Sequence, residues 1–164
     1  MFKYIVVLMM SLSFMPTGQA GEKPAACSSD EYSTLDFWVG SWEVSWKGGK
    51  GTNHISKSHG GCVINEKFDS PGLKGMSISM YNKAGGEWRQ TWMDDQGSYF
   101  DFHGRQDGAD YIFHSTPDPE KPEQQLRMVF TDIKADQLTW LWQKTSDGGE
   151  TWTDQWVIKY RRQH

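Results

Sequence analysis

Leu138-Thr139-Trp140-Leu141-Trp142 sets two tryptophans two residues apart, a spacing that a helix cannot place on one face. In a strand, side chains at i, i+2 and i+4 line up, so Leu138, Trp140 and Trp142 read as the inward side of a half-buried strand. The same period runs outward from this stretch. Trp42, Val44 and Trp46 alternate with Ser41, Glu43 and Ser45, and Met76, Ile78 and Met80 alternate with Gly75, Ser77, Ser79 and Tyr81. Trp88, Gln90 and Trp92 share a face, as do Trp152, Trp156, Ile158 and Tyr160.

Turn-forming clusters separate these runs at short intervals: Lys47-Gly48-Gly49-Lys50-Gly51, Gly60-Gly61, Asp69-Ser70-Pro71-Gly72, Lys83-Ala84-Gly85-Gly86, Asp94-Asp95-Gln96-Gly97, Asp107-Gly108, Lys134-Ala135-Asp136 and Asp147-Gly148-Gly149. Each supplies residues that tolerate positive φ or bond their own backbone. The pattern predicts about ten strands joined mainly by hairpins, an all-β, antiparallel up-and-down barrel or a sandwich. Open edges on so many strands invite aggregation, so closure is the economical solution. Asp30 to Phe37 suits one short helix, capped by Ser29 or Asp30, with Leu35 and Trp38 facing inward. Thr116-Pro117-Asp118-Pro119-Glu120-Lys121-Pro122 predicts an extended rim loop or lid, because proline cannot donate to a sheet.

The chain has 164 residues, a one-domain length, and a net charge of −4. Lys3, the apolar run from Tyr4 to Phe14 and Gly18-Gln19-Ala20 predict a signal peptide over residues 1–20, followed by a flexible leader at 21–29 and a single domain at 30–164. An uncleaved anchor is the alternative, but the apolar run is too short to span a bilayer. The expected location is periplasmic or secreted, with no membrane span in the mature chain. From Gly21 onward there are 20 aromatics against 16 Val, Ile and Leu, so the core must be filled largely with rings. The acidic balance argues against a nucleic-acid partner, and the aromatic content argues against disorder. Export favours a Cys27–Cys62 disulfide over two buried thiols, and closing that loop would stabilise the fold by about 3 to 4 kcal/mol.

Leu35-Asp36-Phe37-Trp38-Val39-Gly40-Ser41-Trp42-Glu43-Val44 resembles the start of an uncharacterised family of exported bacterial lipocalin-like proteins, in the calycin superfamily. Further matching segments are Gly61-Cys62 with Glu66, Gly75-Met76-Ser77, Trp88 to Asp94, and Ser146 to Trp152. The resemblance implies a calycin barrel of about eight to ten strands with a short N-terminal helix. It also implies that Trp42 closes one barrel end under an Arg of the last strand. Arg161 or Arg162 can fill that place, and Arg161, next to Tyr160, is assigned to it. The resemblance carries no settled activity.

Candidate site residues follow from the strand faces. Trp88, Gln90, Trp92, Trp140 and Trp142 form an aromatic wall with one amide, suited to a flat or apolar small molecule; a ring-packed core is the competing use of the same side chains. Tyr81, Glu66, Asp94 and Arg127 are the polar groups that can point into the same space. Arg127 with Glu66 would make an ion pair or a clamp for a carboxylate ligand. Asp147 and Trp152, in Thr145-x-Asp147-x-Gly149-x-Thr151-Trp152, match an Asp-box hairpin and read as structural, since the motif occurs once and not as a propeller repeat. His103 is a candidate axial haem ligand or a half-exposed strand residue; no spacing among the five histidines suggests zinc. No cofactor is otherwise expected. The reading that leads is a monomeric small-molecule binder. An isomerase- or cyclase-type enzyme using Glu66, Asp94, Tyr81 or His103 and an envelope protein acting through its surface are the alternatives.

Overall fold

Ten strands form, five of them on the alternating runs and the others between the turn-forming clusters. They are β1 (Gly40–Trp46), β2 (Gly49–Ser58), β3 (Val63–Asp69), β4 (Lys74–Asn82), β5 (Glu87–Asp94), β6 (Tyr99–Asp107), β7 (Asp110–Ser115), β8 (Gln125–Thr131), β9 (Gln137–Thr145) and β10 (Thr153–Arg162). The computed structural model describes residues 26–164; the signal segment and residues 21–25 of the leader lie outside the described residues. Every strand pairs antiparallel with its sequence neighbour, and β1 pairs with β10, with Trp42 opposite Arg162 and Val44 opposite Tyr160. The sheet is therefore a closed up-and-down barrel with no free edge, the barrel and not the sandwich of the two forms that the period of two allows.

The N-terminal stretch differs from its expectation. In place of one helix there are two single turns of 3-10 helix, Asp30–Ser33 and Asp36–Trp38. Eight residues are too few to offset the cost of nucleating an α-helix, and three residues per turn aligns Leu35 with Trp38. Both point inward as expected, at 0% and 1% exposure, and they stopper one end of the barrel. The disulfide Cys27–Cys62 ties this stopper to the β2–β3 connection.

Trp42 closes the same end, but its cationic partner is Arg162 and not Arg161. The guanidinium carbon of Arg162 lies 4.1 Å from the Trp42 ring centroid. Its nitrogens donate to the Val39 carbonyl at 2.7 Å, the Phe37 carbonyl at 3.0 Å and the Ala135 carbonyl at 2.8 Å. The Trp42 indole in turn donates to the Trp38 carbonyl at 2.8 Å. Alternation decides between the two arginines: Ile158, Tyr160 and Arg162 share a face, while Arg161 points outward, opposite Glu43. Gly40 is required here, because a Cβ would sit 2.1 Å from the Arg162 guanidinium and φ is +141°.

One strand is turned against its apolar pattern. In β4, Met76, Ile78 and Met80 face solvent at 42%, 43% and 47% exposure, and Ser77 and Ser79 are fully buried. The register explains the inversion. Ser77 stands opposite Glu66 and Ser79 opposite Gln90, and each serine hydroxyl bonds its buried neighbour. Gly75 completes this inner face beneath Trp92, whose ring would lie 2.2 Å from a Cβ at that position.

Arg162→Lys is expected to lower stability by about 1 to 2 kcal/mol, because an ammonium cannot serve three carbonyls and an indole face together. Arg161→Lys should change it by less than about 0.5 kcal/mol; urea unfolding of both variants ranks them, and the reverse ranking would remove Arg162 from the closure. Reduction of Cys27–Cys62 should cost about 3 to 4 kcal/mol in the same measurement, from the chain entropy that its 35-residue separation restores.

Candidate functional site

The barrel interior is not filled. A cavity of about 330 Å³ runs from the end carrying the β3–β4 and β5–β6 turns, where Leu73, Asp94, Gln96 and Ser98 line it, toward Trp38 at the stoppered end. Hairpin alternation puts the Thr116–Gln124 segment and the Asp147 turn at the same open end. The Gly148 N–H donates to the Glu123 carbonyl at 3.0 Å, so the proline-rich loop is fastened to the rim.

Below the rim the wall is a belt of rings. Trp92 packs on Phe68 at 6.3 Å, Phe68 on Trp156 at 6.0 Å, and Trp156 on Trp140 at 6.1 Å, all edge to face. Trp140 and Trp142 lie parallel within 1°, and Phe100 packs on Trp142 at 5.5 Å. Phe100 stands opposite Trp92 in the β5–β6 register, which completes the circuit. These members sit on β3, β5, β6, β9 and β10, so the belt girdles the lumen.

Beneath the belt lies a polar floor. Glu66 accepts hydrogen bonds from Asn53 Nδ2 at 2.7 Å and from the Ser77 hydroxyl at 2.6 Å. Asn53 Nδ2 also donates to the Tyr160 hydroxyl at 3.0 Å. Beside them, Gln90 Nε2 donates to the Ser79 hydroxyl at 2.9 Å. Burial pushes the Glu66 carboxyl up to about 7, against the opposing effect of its bonds from Ser77 and Asn53. Burial and then the Glu66 charge push Tyr160 far above the usual phenol range, so it keeps its proton at neutral pH. Among the described residues, Trp38 Nε1 and Asn53 Oδ1 are fully buried without a well-aligned hydrogen bond, and Trp38 Nε1 lies against the Tyr160 hydroxyl. Among the described residues, no Lys, Arg or His lines the cavity.

Five of the eight proposed ligand contacts meet in this space: Glu66, Gln90, Trp92, Trp140 and Trp142. Trp88, Tyr81 and Arg127 do not. Trp88 faces inward but belongs to the stopper, where its indole donates to the Thr34 hydroxyl at 2.9 Å and its ring meets Tyr81 at 5.8 Å. Tyr81 in turn packs on Tyr32. Arg127 is on the outer face, 4.0 Å from the Trp152 ring, with its Nε donating to Gln143 at 2.6 Å. There is no Arg127–Glu66 pair, because positions 126, 128 and 130 take the inward side of β8 and leave 127 outside.

Asp94 borders the open end. Partial burial raises its carboxyl, but bonds from the Trp92 indole and the Ser98 and Gln96 amides outweigh that and hold it below its ordinary value. His103 also lies on the outer face, opposite His114 at 6.1 Å between rings, so it cannot serve as an axial ligand to a haem in the lumen. Burial and the nearby Arg127 and His103 charges depress His114. Among the described residues, no group of three or more His, Cys, Asp or Glu is placed to hold a metal ion.

Asp147 has the structural place assigned to it. Its carboxylate takes bonds from the Thr145 and Thr151 hydroxyls and the Thr151 N–H, which hold it well below the carboxylate range. Trp152 donates to the Gly149 carbonyl at 3.1 Å under the same turn. The residues that sequence reasoning passed over are Asn53, Ser77, Tyr160, Trp38, Phe68, Phe100 and Trp156. Tyr160 and Trp156 carried a signal in their shared parity with Ile158. Asn53 and Ser77 carried none, since small polar residues read as solvent-facing. Neither the known protein families nor the curated proteins contain a match to this chain.

Glu66 makes the fold pH-dependent with a definite sign. A carboxyl whose folded pKa is raised adds stability below its unfolded value and loses it as pH climbs through the folded value. The contribution should therefore fall between about pH 4.5 and 7, by roughly 3 kcal/mol at most. Glu66→Gln, whose amide oxygen can accept from Asn53 while its amide nitrogen donates to the Ser77 hydroxyl, should flatten that slope and raise the midpoint of urea unfolding at pH 8. An unchanged slope would mean that Glu66 titrates as an ordinary carboxylate.

Proposed function

We propose that the protein is an exported, monomeric, calycin-type carrier or receptor for a small apolar or aromatic molecule, held inside the belt of rings. The observation that carries this reading is a cavity of about 330 Å³ walled by Trp92, Trp140, Trp142 and Trp156 and open at one end. A core built only for stability would be packed to the density of an organic crystal and would leave no such void. The volume lies near the lower end of the range for ligand pockets, which suits a molecule of a few rings better than haem.

Export is supported by the signal-like residues 1–20 and by the disulfide, a bond at home in oxidising compartments. No helix among the described residues is long and apolar enough to cross a membrane. The enzyme alternative has less support. Of its four acid–base candidates, Tyr81 and His103 are outside the cavity and Asp94 sits at its rim, which leaves Glu66 alone of the four on the floor. The surface alternative has one observation in its favour, the exposed stripe of Met76, Ile78, Met80, Met93 and Tyr99, but a protein acting through its surface has no use for a hollow core, and this core is hollow.

Tryptophan emission of the mature protein should shift or quench on titration with members of a panel of retinoid-like compounds, quinones, fatty acids, haem and glycans. Trp142→Ala should weaken the best ligand by roughly ten-fold or more, in line with losing one aromatic contact and its buried area. Emission unmoved by the whole panel would overturn the binding function.

A further inference from the structure

The charged groups and the rings of the lumen favour a ligand of one sign. We propose that the cavity takes an organic cation, an ammonium compound whose charged head sits among Glu66, Phe68, Trp92 and Asp94 and whose apolar body lies along the rest of the belt. This inference rests on the binding function proposed above and names the charge of its ligand.

The lining carries two carboxyls, Glu66 and Asp94, and among the described residues no Lys, Arg or His. Six rings of the belt face the same space, and four of them are indoles. An aromatic face attracts a cation through its quadrupole, and indole does so most strongly. An anion would instead be desolvated beside like charge. It would find no counter-ion, since Arg127 is on the outer face and Arg162 is engaged by the carbonyls of the closed end.

The strand register brings the carboxyls and the rings together. Glu66 stands opposite Ser77 and Ser77 opposite Trp92; one step along, Phe68 stands opposite Gly75 and Gly75 opposite Asp94. Two carboxyls on one diagonal and two rings on the other therefore enclose a patch of β4 that offers only a hydroxymethyl group and a hydrogen. The corners touch. Phe68 packs on Trp92 at 6.3 Å, and the Trp92 indole donates to Asp94 Oδ2 at 2.9 Å. The inversion of β4 makes this arrangement possible. Turning Gly75, Ser77 and Ser79 inward and Met76, Ile78 and Met80 outward sacrifices apolar burial, and what it supplies is room between the carboxyls.

Their ionisation fits the same use. Bonds from Trp92, Gln96 and Ser98 keep Asp94 charged at neutral pH. Glu66 is buried without a counter-ion among the described residues, and burial raises it to about 7. A cation beside it favours its ionised form, so the ligand compensates a charge that the protein leaves uncompensated.

Three probes of one shape separate the possibilities: benzyltrimethylammonium, its carbon isostere neopentylbenzene, and benzylsulfonate, titrated against the mature protein at pH 7.5 by tryptophan quenching. The expected order has the cation about ten-fold or more tighter than the hydrocarbon, and the sulfonate weakest. Glu66→Gln and Asp94→Asn should each cut the ratio of cation to hydrocarbon affinity by about three-fold or more. Glu66→Gln serves alone if Asp94→Asn disturbs the turn that its carboxylate holds. Cation and hydrocarbon binding equally, or the sulfonate binding tightest, would overturn the cation site and leave the binding function standing. A cation preference untouched by both substitutions would overturn the placement of the charged head between the carboxyls. If none of the three probes binds, the cation site falls, and the binding function is then decided by the wider ligand panel.

Discussion

Arg162 lying on Trp42 joins three parts of the chain at one point: the last strand, the first strand and the carbonyls of the turn that stoppers the barrel. A β-barrel is only as closed as its seam, and this seam joins residues more than a hundred positions apart. Loop-closure entropy opposes such a contact most strongly, so its interaction with three carbonyls and one indole has to be specific. Placing the stopper also places Trp38, whose carbonyl receives the Trp42 indole and whose own indole becomes the cavity floor. The geometry of the candidate site thus depends on a contact that touches no ligand.

From that fixed end the lumen divides into two chemistries. The floor is made of polar residues that bond one another, Asn53 with Glu66 and Tyr160, Ser77 with Glu66, Ser79 with Gln90. The belt above it is made of rings, edge to face except for the parallel pair Trp140 and Trp142. A buried carboxyl would be costly in the belt, where nothing could bond it, and is tolerable on the floor because it receives two bonds and rises toward neutrality. The outer surface carries the cost of this arrangement as an exposed methionine and isoleucine stripe on β4.

Much of this was legible in the sequence, because a barrel is periodic. Alternation identified the strands, the hairpin count and the tryptophans at 92, 140 and 142, and pairing parity with topology closes the sheet. The two misplaced arginines have one explanation, since strand parity binds charged residues as strictly as apolar ones. Carried one step past Tyr160 it selects Arg162, and carried through β8 it sends Arg127 outside. The β4 inversion was a different matter. Its apolar alternation is genuine, but two serines opposite Glu66 and Gln90 determine the face, and that register exists only after the strands are paired. Trp88 illustrates a further limit, because its face was right while its height along the barrel, beside Thr34 and Tyr81, put it in the stopper.

The excess of rings over aliphatics now has a physical reason. A barrel of ten strands is wide, and a lumen lined with valine and leucine would leave gaps on its axis that nothing fills. Aromatic side chains reach further from the wall, and edge-to-face contacts let each ring brace the next across strands that are not neighbours, as Trp92, Phe68 and Trp156 do. A belt braced in this way can hold a void open without a ligand inside it. Flexible aliphatic side chains would collapse into the same space, so the aromatic composition is what allows a closed barrel of this length to remain both rigid and hollow.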